Sequence, residues 1–135
     1  MMTIDEWQRK AIRVPFLSHG RDYDAWDCWG LCIRGYQDVL GITLPDYNYE
    51  SIRDYRALAR EFTNRRCSFW KQINTPEVMS VACIYRRGSV IHAGLVMPRR
   101  RIMHVELGVE TCCPRLDDFR IEGYYVPADR GTTPV

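Results

Sequence analysis

The sequence predicts an α+β fold, with helices first and an antiparallel sheet afterwards, from three observations. Apolar residues recur at helical spacing as far as about Phe62, branched and apolar runs take over from Val78, and Arg86-Arg87-Gly88 and Pro98-Arg99-Arg100 separate those runs as turns. A chain of 135 residues that is 46% hydrophobic fits one compact domain spanning 1–135, large enough to bury a core without metals or disulfides.

Thr3-Ile4-Asp5-Glu6 reads as a capping box, and Ile4, Trp7 and Ala11 share one face, so a first helix is expected from Ile4 to about Arg13, stopped by Pro15. The polar stretch Ser18 to Trp26 reads as a loop. A second helix is expected from Cys28 to about Leu40, with Leu31, Cys32, Gly35, Tyr36 and Val39 toward the core and Gly41 as a left-handed terminator. Leu44-Pro45-Asp46-Tyr47 must be non-helical, and Ile52, Tyr55, Leu58, Ala59 and Phe62 predict a third helix over Ser51 to Phe62. Strands are expected at Val78 to Tyr85, Val90 to Met97, Ile102 to Leu107 and Ile121 to Val126. Residues 128–135 read as an extended tail.

Nineteen Lys and Arg against seventeen Asp and Glu leave a net charge of +2, too balanced to argue for a nucleic acid as partner. Arg99-Arg100-Arg101 is the one local excess, read as a solvated hairpin tip or, failing that, an anion-facing surface. Met1 to Lys10 lacks the apolar stretch of a secretory signal, and no window reaches the roughly 18 apolar residues of a membrane span. A soluble chain made in a cytoplasm is therefore expected, with Cys28, Cys32, Cys67, Cys83, Cys112 and Cys113 mostly free thiols.

The chemistry-bearing residues are Cys28, His92 and His104. Cys28 stands at the first turn of the second helix, where unpaired N–H groups and the dipole favour a thiolate. Asp27 suits the N-cap, although its charge pulls the thiol the other way. His92 and His104 lie 104 − 92 = 12 residues apart about Pro98, so a hairpin turning there sets them opposite each other on one face, with Cβ atoms roughly 5 Å apart. Cys28 would attack an amide or ester carbonyl, His92 would take its proton, and His104 would orient the imidazole. The Cys28 N–H is a plausible oxyanion donor. Gly94 leaves room either for substrate or for close sheet packing. The rival reading makes Cys28, His92 and His104 zinc ligands, with Cys112 or Glu106 as the fourth.

Around these residues the chain resembles the NlpC-type papain-like cysteine peptidases, cell-wall hydrolases, and in particular the short forms from tail-assembly regions of long-tailed bacteriophages. The resemblance rests on Gly20-Arg21-Asp22, Asp27-Cys28-Trp29-Gly30-Leu31, Gly41-Ile42-Thr43-Leu44-Pro45-Asp46-Tyr47, His92-Ala93-Gly94-Leu95, Met103-His104-Val105-Glu106 and Gly123-Tyr124-Tyr125, spread from about Pro15 to Val126. It implies a papain-like fold whose nucleophile helix packs on the sheet, with Cys28 as nucleophile, His92 as general base and His104 as orienting residue, and with no cofactor or metal. It implies hydrolysis of the γ-D-glutamyl to diamino-acid amide of peptidoglycan stem peptides, in a virion tail tip among other tail-tip proteins, during wall penetration. Asp27, Trp29 and Phe16 fall at substrate-facing positions. Phe16 stands where many members carry a tyrosine whose hydroxyl serves the oxyanion hole, and Trp29 replaces the usual serine. Those two departures leave a structural tail component of weak or no activity as the alternative.

Overall fold

The computed structural model describes residues 1–47, 69–86 and 89–129. The expected third helix, Cys67 and residues 130–135 of the tail lie outside them. Helix α1 spans Ile4–Ala11 behind the expected capping box: Glu6 N–H donates to Thr3 Oγ1 at 3.1 Å and Thr3 N–H to Glu6 Oε1 at 3.2 Å. Trp7 and Ala11 are fully buried. The helix ends two residues before Arg13, because Arg13 adopts φ 73° and its N–H donates to Thr111 O at 2.9 Å, which turns the chain onto the sheet before Pro15 is reached.

The stretch expected as a loop holds a small antiparallel hairpin, β1 (Arg21–Asp22) and β2 (Ala25–Trp26). Helix α2 then runs over Cys28–Gly35 and continues as a wider π-helical turn, Tyr36–Leu40, that Gly41 ends at φ 67°. The expected span of Cys28 to Leu40 is thus helical throughout. Its inner face, Cys28, Leu31, Cys32 and Tyr36, joins Trp7, Trp26 and Trp29 in the main core.

The remaining strands are β3 (Trp70–Ile73), β4 (Val81–Arg86), β5 (Ser89–Met97), β6 (Arg101–Glu106), β7 (Val109–Cys112) and β8 (Ile121–Pro127). They form one antiparallel sheet in the order β3-β8-β4-β5-β6-β7. The sheet has apolar residues on both faces. Ala93, Leu95, Met97, Met103 and Val105 face α1 and α2, while Ala82, Ile84, Val96 and Ile102 pack under Leu116 of a short 3₁₀ turn and under Phe119. Strand β5 is therefore a nearly continuous apolar run, as a strand covered on both sides must be. The β5–β6 hairpin turns through Arg99 and Arg100, both at positive φ, with Arg100 held to Asp117 at 2.7 Å; this is the expected exposed basic tip. Among the described residues no helix is long and apolar enough to cross a membrane.

Candidate active site

The turn chemistry of the β5–β6 hairpin sets the register on which the site depends. Leu95 pairs with Met103, Val96 with Ile102 and Met97 with Arg101. Continued one step, that register sets Gly94, not His92, across from His104. The histidines are diagonal neighbours rather than directly opposed, because the turn is centred on Arg99 and not on Pro98. They still share a face, since the offset is two residues. The Gly94 position is cross-strand packing: a Cβ there would stand 2.8 Å from Met103 O and 3.0 Å from Ile102 side-chain atoms. That decides between the two readings of this glycine.

The β5–β6 ladder ends at Leu95 and Met103, and beyond it the imidazoles rather than backbone bonds link the strands. His92 Nε2 lies 3.0 Å from His104 Nδ1, with the rings edge to face. Both are buried, at 7% and 6% exposure. His104 Nε2 is in turn 3.4 Å from Cys112 Sγ on β7, its ladder partner, and the His104 ring stands edge-on to Phe119. Glu106 Oε1 lies 3.3 Å from His92 Nε2 and 3.9 Å from His104 Nδ1, and Arg86 of β4 grips that oxygen through both Nε and Nη2 at 2.6 Å. Burial, then His104 and the Arg86 cation, hold His92 well below the ordinary histidine value. Burial and Arg86 also lower His104, against the opposing pull of Glu106. Both rings are therefore neutral at neutral pH, the state in which an imidazole can accept a proton.

Cys28 is the first residue of α2 and only 1% exposed. Asp27 caps the helix from full burial: its carboxylate accepts from Gly30 N–H at 2.8 Å, from His19 N–H at 2.9 Å and from Arg21 Nη1 at 2.9 Å, while Arg21 also reaches Asp46 at 2.9 Å. The Arg21 cation thus offsets the negative charge beside the thiol. Gly30 is pinned by close approach, since a Cβ would meet Gly20 O at 2.0 Å, so the β1 hairpin lies tight against the start of α2.

Cys28 approaches the middle of β5 from the α2 side. It shares a core cluster with Ala93, whose ladder partner Cys83 feels the Cys28 sulfur. His92, next in sequence to Ala93, faces the other way by strand alternation. Burial pushes the Cys32 and Cys83 thiols well up and those of Cys112 and Cys113 up, which keeps all four protonated.

Of the residues expected to face substrate, Trp29 is wholly buried, donating from Nε1 to Pro45 O at 2.9 Å and stacking on Tyr47. Phe16 is half-buried and bridges to Trp26. The metal-capable cluster among the described residues is His92, His104 and Glu106, whose ligand atoms lie within 4.8 Å of one another. It does not include Cys28, so the zinc set expected around that thiol is not the one assembled here. Arg86 and Phe119 are the site neighbours that the sequence reading left without a role, and Glu106 entered there only as a rival zinc ligand. For Glu106 a signal existed, because it alternates with His104 on one strand face.

The architecture is the α+β, papain-like fold of NlpC/p60 domains. No family model matches the sequence, and no curated protein matches it significantly. Among solved structures it is similar to the crystal structure of the NlpC/p60 domain of the peptidoglycan hydrolase SagA, at 14% identity and a TM-score of 0.65, covering 92% of this chain and 96% of that one. At that identity the likeness establishes the fold.

Proposed function

We propose that this chain is a thiol-dependent peptidoglycan hydrolase with Cys28 as nucleophile, His92 as general base and His104 as orienting residue. The observation that carries the reading is the buried His92–His104 pair, 3.0 Å apart, with His92 on β5 next to Ala93, which shares a core cluster with Cys28 of the α2 N-terminus. The similarity in fold to a domain of a known peptidoglycan hydrolase supports it.

His92 Nε2 is engaged with His104, so Nδ1 is the nitrogen left to serve the thiol. For that transfer Cys28 Sγ and His92 Nδ1, which start from opposite faces of β5, must meet at the substrate: the ring takes the thiol proton as Sγ bonds to the carbonyl carbon of a stem-peptide amide. The Cys28 N–H and the helix dipole stabilise the oxyanion. Collapse breaks the C–N bond and His92 returns the proton to the leaving amine. Water, deprotonated by the same ring, then cleaves the thioester. Asp27, braced by Arg21, and Trp29 act from within as the floor that fixes the α2 N-terminus, and Phe16 contributes an apolar wall. The finer assignment is a virion tail-tip protein, working beside other tail-tip proteins, that cuts the γ-D-glutamyl to diamino-acid bond during wall penetration; it rests on the sequence resemblance.

Digestion of purified peptidoglycan, with mass analysis of the released muropeptides, tests the reading directly. New stem-peptide ends that vanish in Cys28→Ala are the expected result. A second reading, a structural tail component with little activity, draws on one observation: Cys28 is 1% exposed. Intact muropeptides from every stem-peptide chemotype would favour it.

A further inference from the structure

We propose that Glu106, clamped by Arg86, is a positioning residue that selects the tautomer of the histidine pair; the inference rests on the hydrolase reading only for its catalytic consequence. Two ring nitrogens 3.0 Å apart share a single proton, and geometry alone does not say which ring carries it. The carboxylate decides. Glu106 Oε1 stands nearer His92 Nε2, at 3.3 Å, than His104 Nδ1, at 3.9 Å, so a proton on His92 Nε2 faces two acceptors at once. A lone pair there would face an anion instead.

With Nε2 protonated and the ring neutral, His92 Nδ1 carries the lone pair that a general base needs. His104 then accepts at Nδ1 and holds its own proton at Nε2, directed at Cys112 Sγ, 3.4 Å away. Every hydrogen bond of the chain from His92 through His104 to Cys112 agrees with this one assignment. Arg86 holds Glu106 in place through two contacts of 2.6 Å, and its guanidinium lies over Phe119, which in turn packs on the His104 ring. Glu106 and Arg86 touch no reacting atom in this scheme. They act through His92.

The test is nitrogen NMR of the full chain, with imidazole shifts assigned by His92→Gln and His104→Gln. The expected wild-type result is His92 protonated at Nε2 and unprotonated at Nδ1. Glu106→Gln, which keeps shape and removes charge, should mix or reverse the tautomers and lower kcat/KM on peptidoglycan fragments by about 10- to 100-fold. Glu106→Asp should restore much of both. Should Glu106→Gln fail to fold, Arg86→Lys, which loosens the clamp and keeps the carboxylate, should give a smaller shift of the same sign. A wild-type His92 protonated at Nδ1, or tautomers unmoved in a folded Glu106→Gln, overturns the proposal. Glu106-dependent tautomers in a protein that cleaves no peptidoglycan would overturn the hydrolase reading and leave this one standing.

Discussion

His92 and His104 are joined ring to ring at 3.0 Å where the backbone ladder between their strands has already ended. The bond therefore does two things. It ties β5 to β6 past the last backbone pair, and it directs the His92 ring so that only Nδ1 is left for a thiol.

His104→Ala removes the nearer of the two acceptors at His92 Nε2 and the imidazole beside Cys112 Sγ, and a buried polar group that loses its hydrogen bond costs up to about 1–3 kcal/mol. Denaturant unfolding should show that loss. Hydrolysis should fall without vanishing, because the thiol and its base remain, and His104→Gln should recover part of both. An Ala variant of unchanged stability and rate would show that the pair neither holds the strands nor orients the base.

Acid should loosen the fold in a defined window. His92 and His104 are held below the ordinary value of 6.5, so below that pH the unfolded chain binds protons that the folded chain does not. Stability should be flat with respect to these groups above pH 6.5 and should decline as pH falls through and below it, by up to about 1.4 kcal/mol per pH unit for each histidine. The charged and titratable groups around the rings are Arg86 from β4, Glu106 from β6 and Cys112 from β7, and Arg86 steepens the effect while Glu106 softens it at His104. Urea midpoints at about pH 7.5 and about pH 5.5 read the difference, and replacing both histidines by Gln should flatten it. Equal midpoints in the wild type would contradict the neutral, buried pair.

What could be read from the sequence, and what could not, follows from the range of the forces involved. Asp27, Cys28 and Gly41 are local signals for the start and stop of α2, and they placed it well. The shared face of His92 and His104 was legible because it depends only on an even offset. Their diagonal offset, in place of the expected direct opposition, was not, since the turn runs through two arginines at positive φ, a conformation that side chains do not announce. Strands β3, Trp70-Lys-Gln-Ile73, and β7, Val109-Glu-Thr-Cys112, carry too few apolar residues to declare themselves. They are strands because β8 and β6 offer them an edge. The ion pairs of Arg21 and Arg86 cross between elements, so only the assembled fold brings them into view.

Arg21→Ala should strike the start of α2 from outside the triad. Asp27 is fully buried and Arg21 Nη1 is one of its donors, so losing that charged hydrogen bond should cost about 1.5–3 kcal/mol. It should also slow alkylation of Cys28, because the Asp27 charge then acts on the thiol undiluted. Arg21→Lys should recover part of both effects. A fall in stability with alkylation unchanged would confine Arg21 to a structural role.

Cys28 itself separates the two functional readings. A mild alkylating agent near neutral pH should modify it ahead of Cys32 and Cys83, which burial keeps protonated, and ahead of the more exposed Cys112 and Cys113, whose thiols are also pushed up. His92→Gln should slow that reaction, since the base that takes the thiol proton is gone. Cys28→Ala deletes one buried sulfur and should change stability by about 1 kcal/mol or less while abolishing release of stem-peptide fragments. If all the thiols react alike in the folded protein, and Cys28→Ala behaves as the wild type on peptidoglycan, then α2 carries an ordinary core cysteine and the structural reading takes its place.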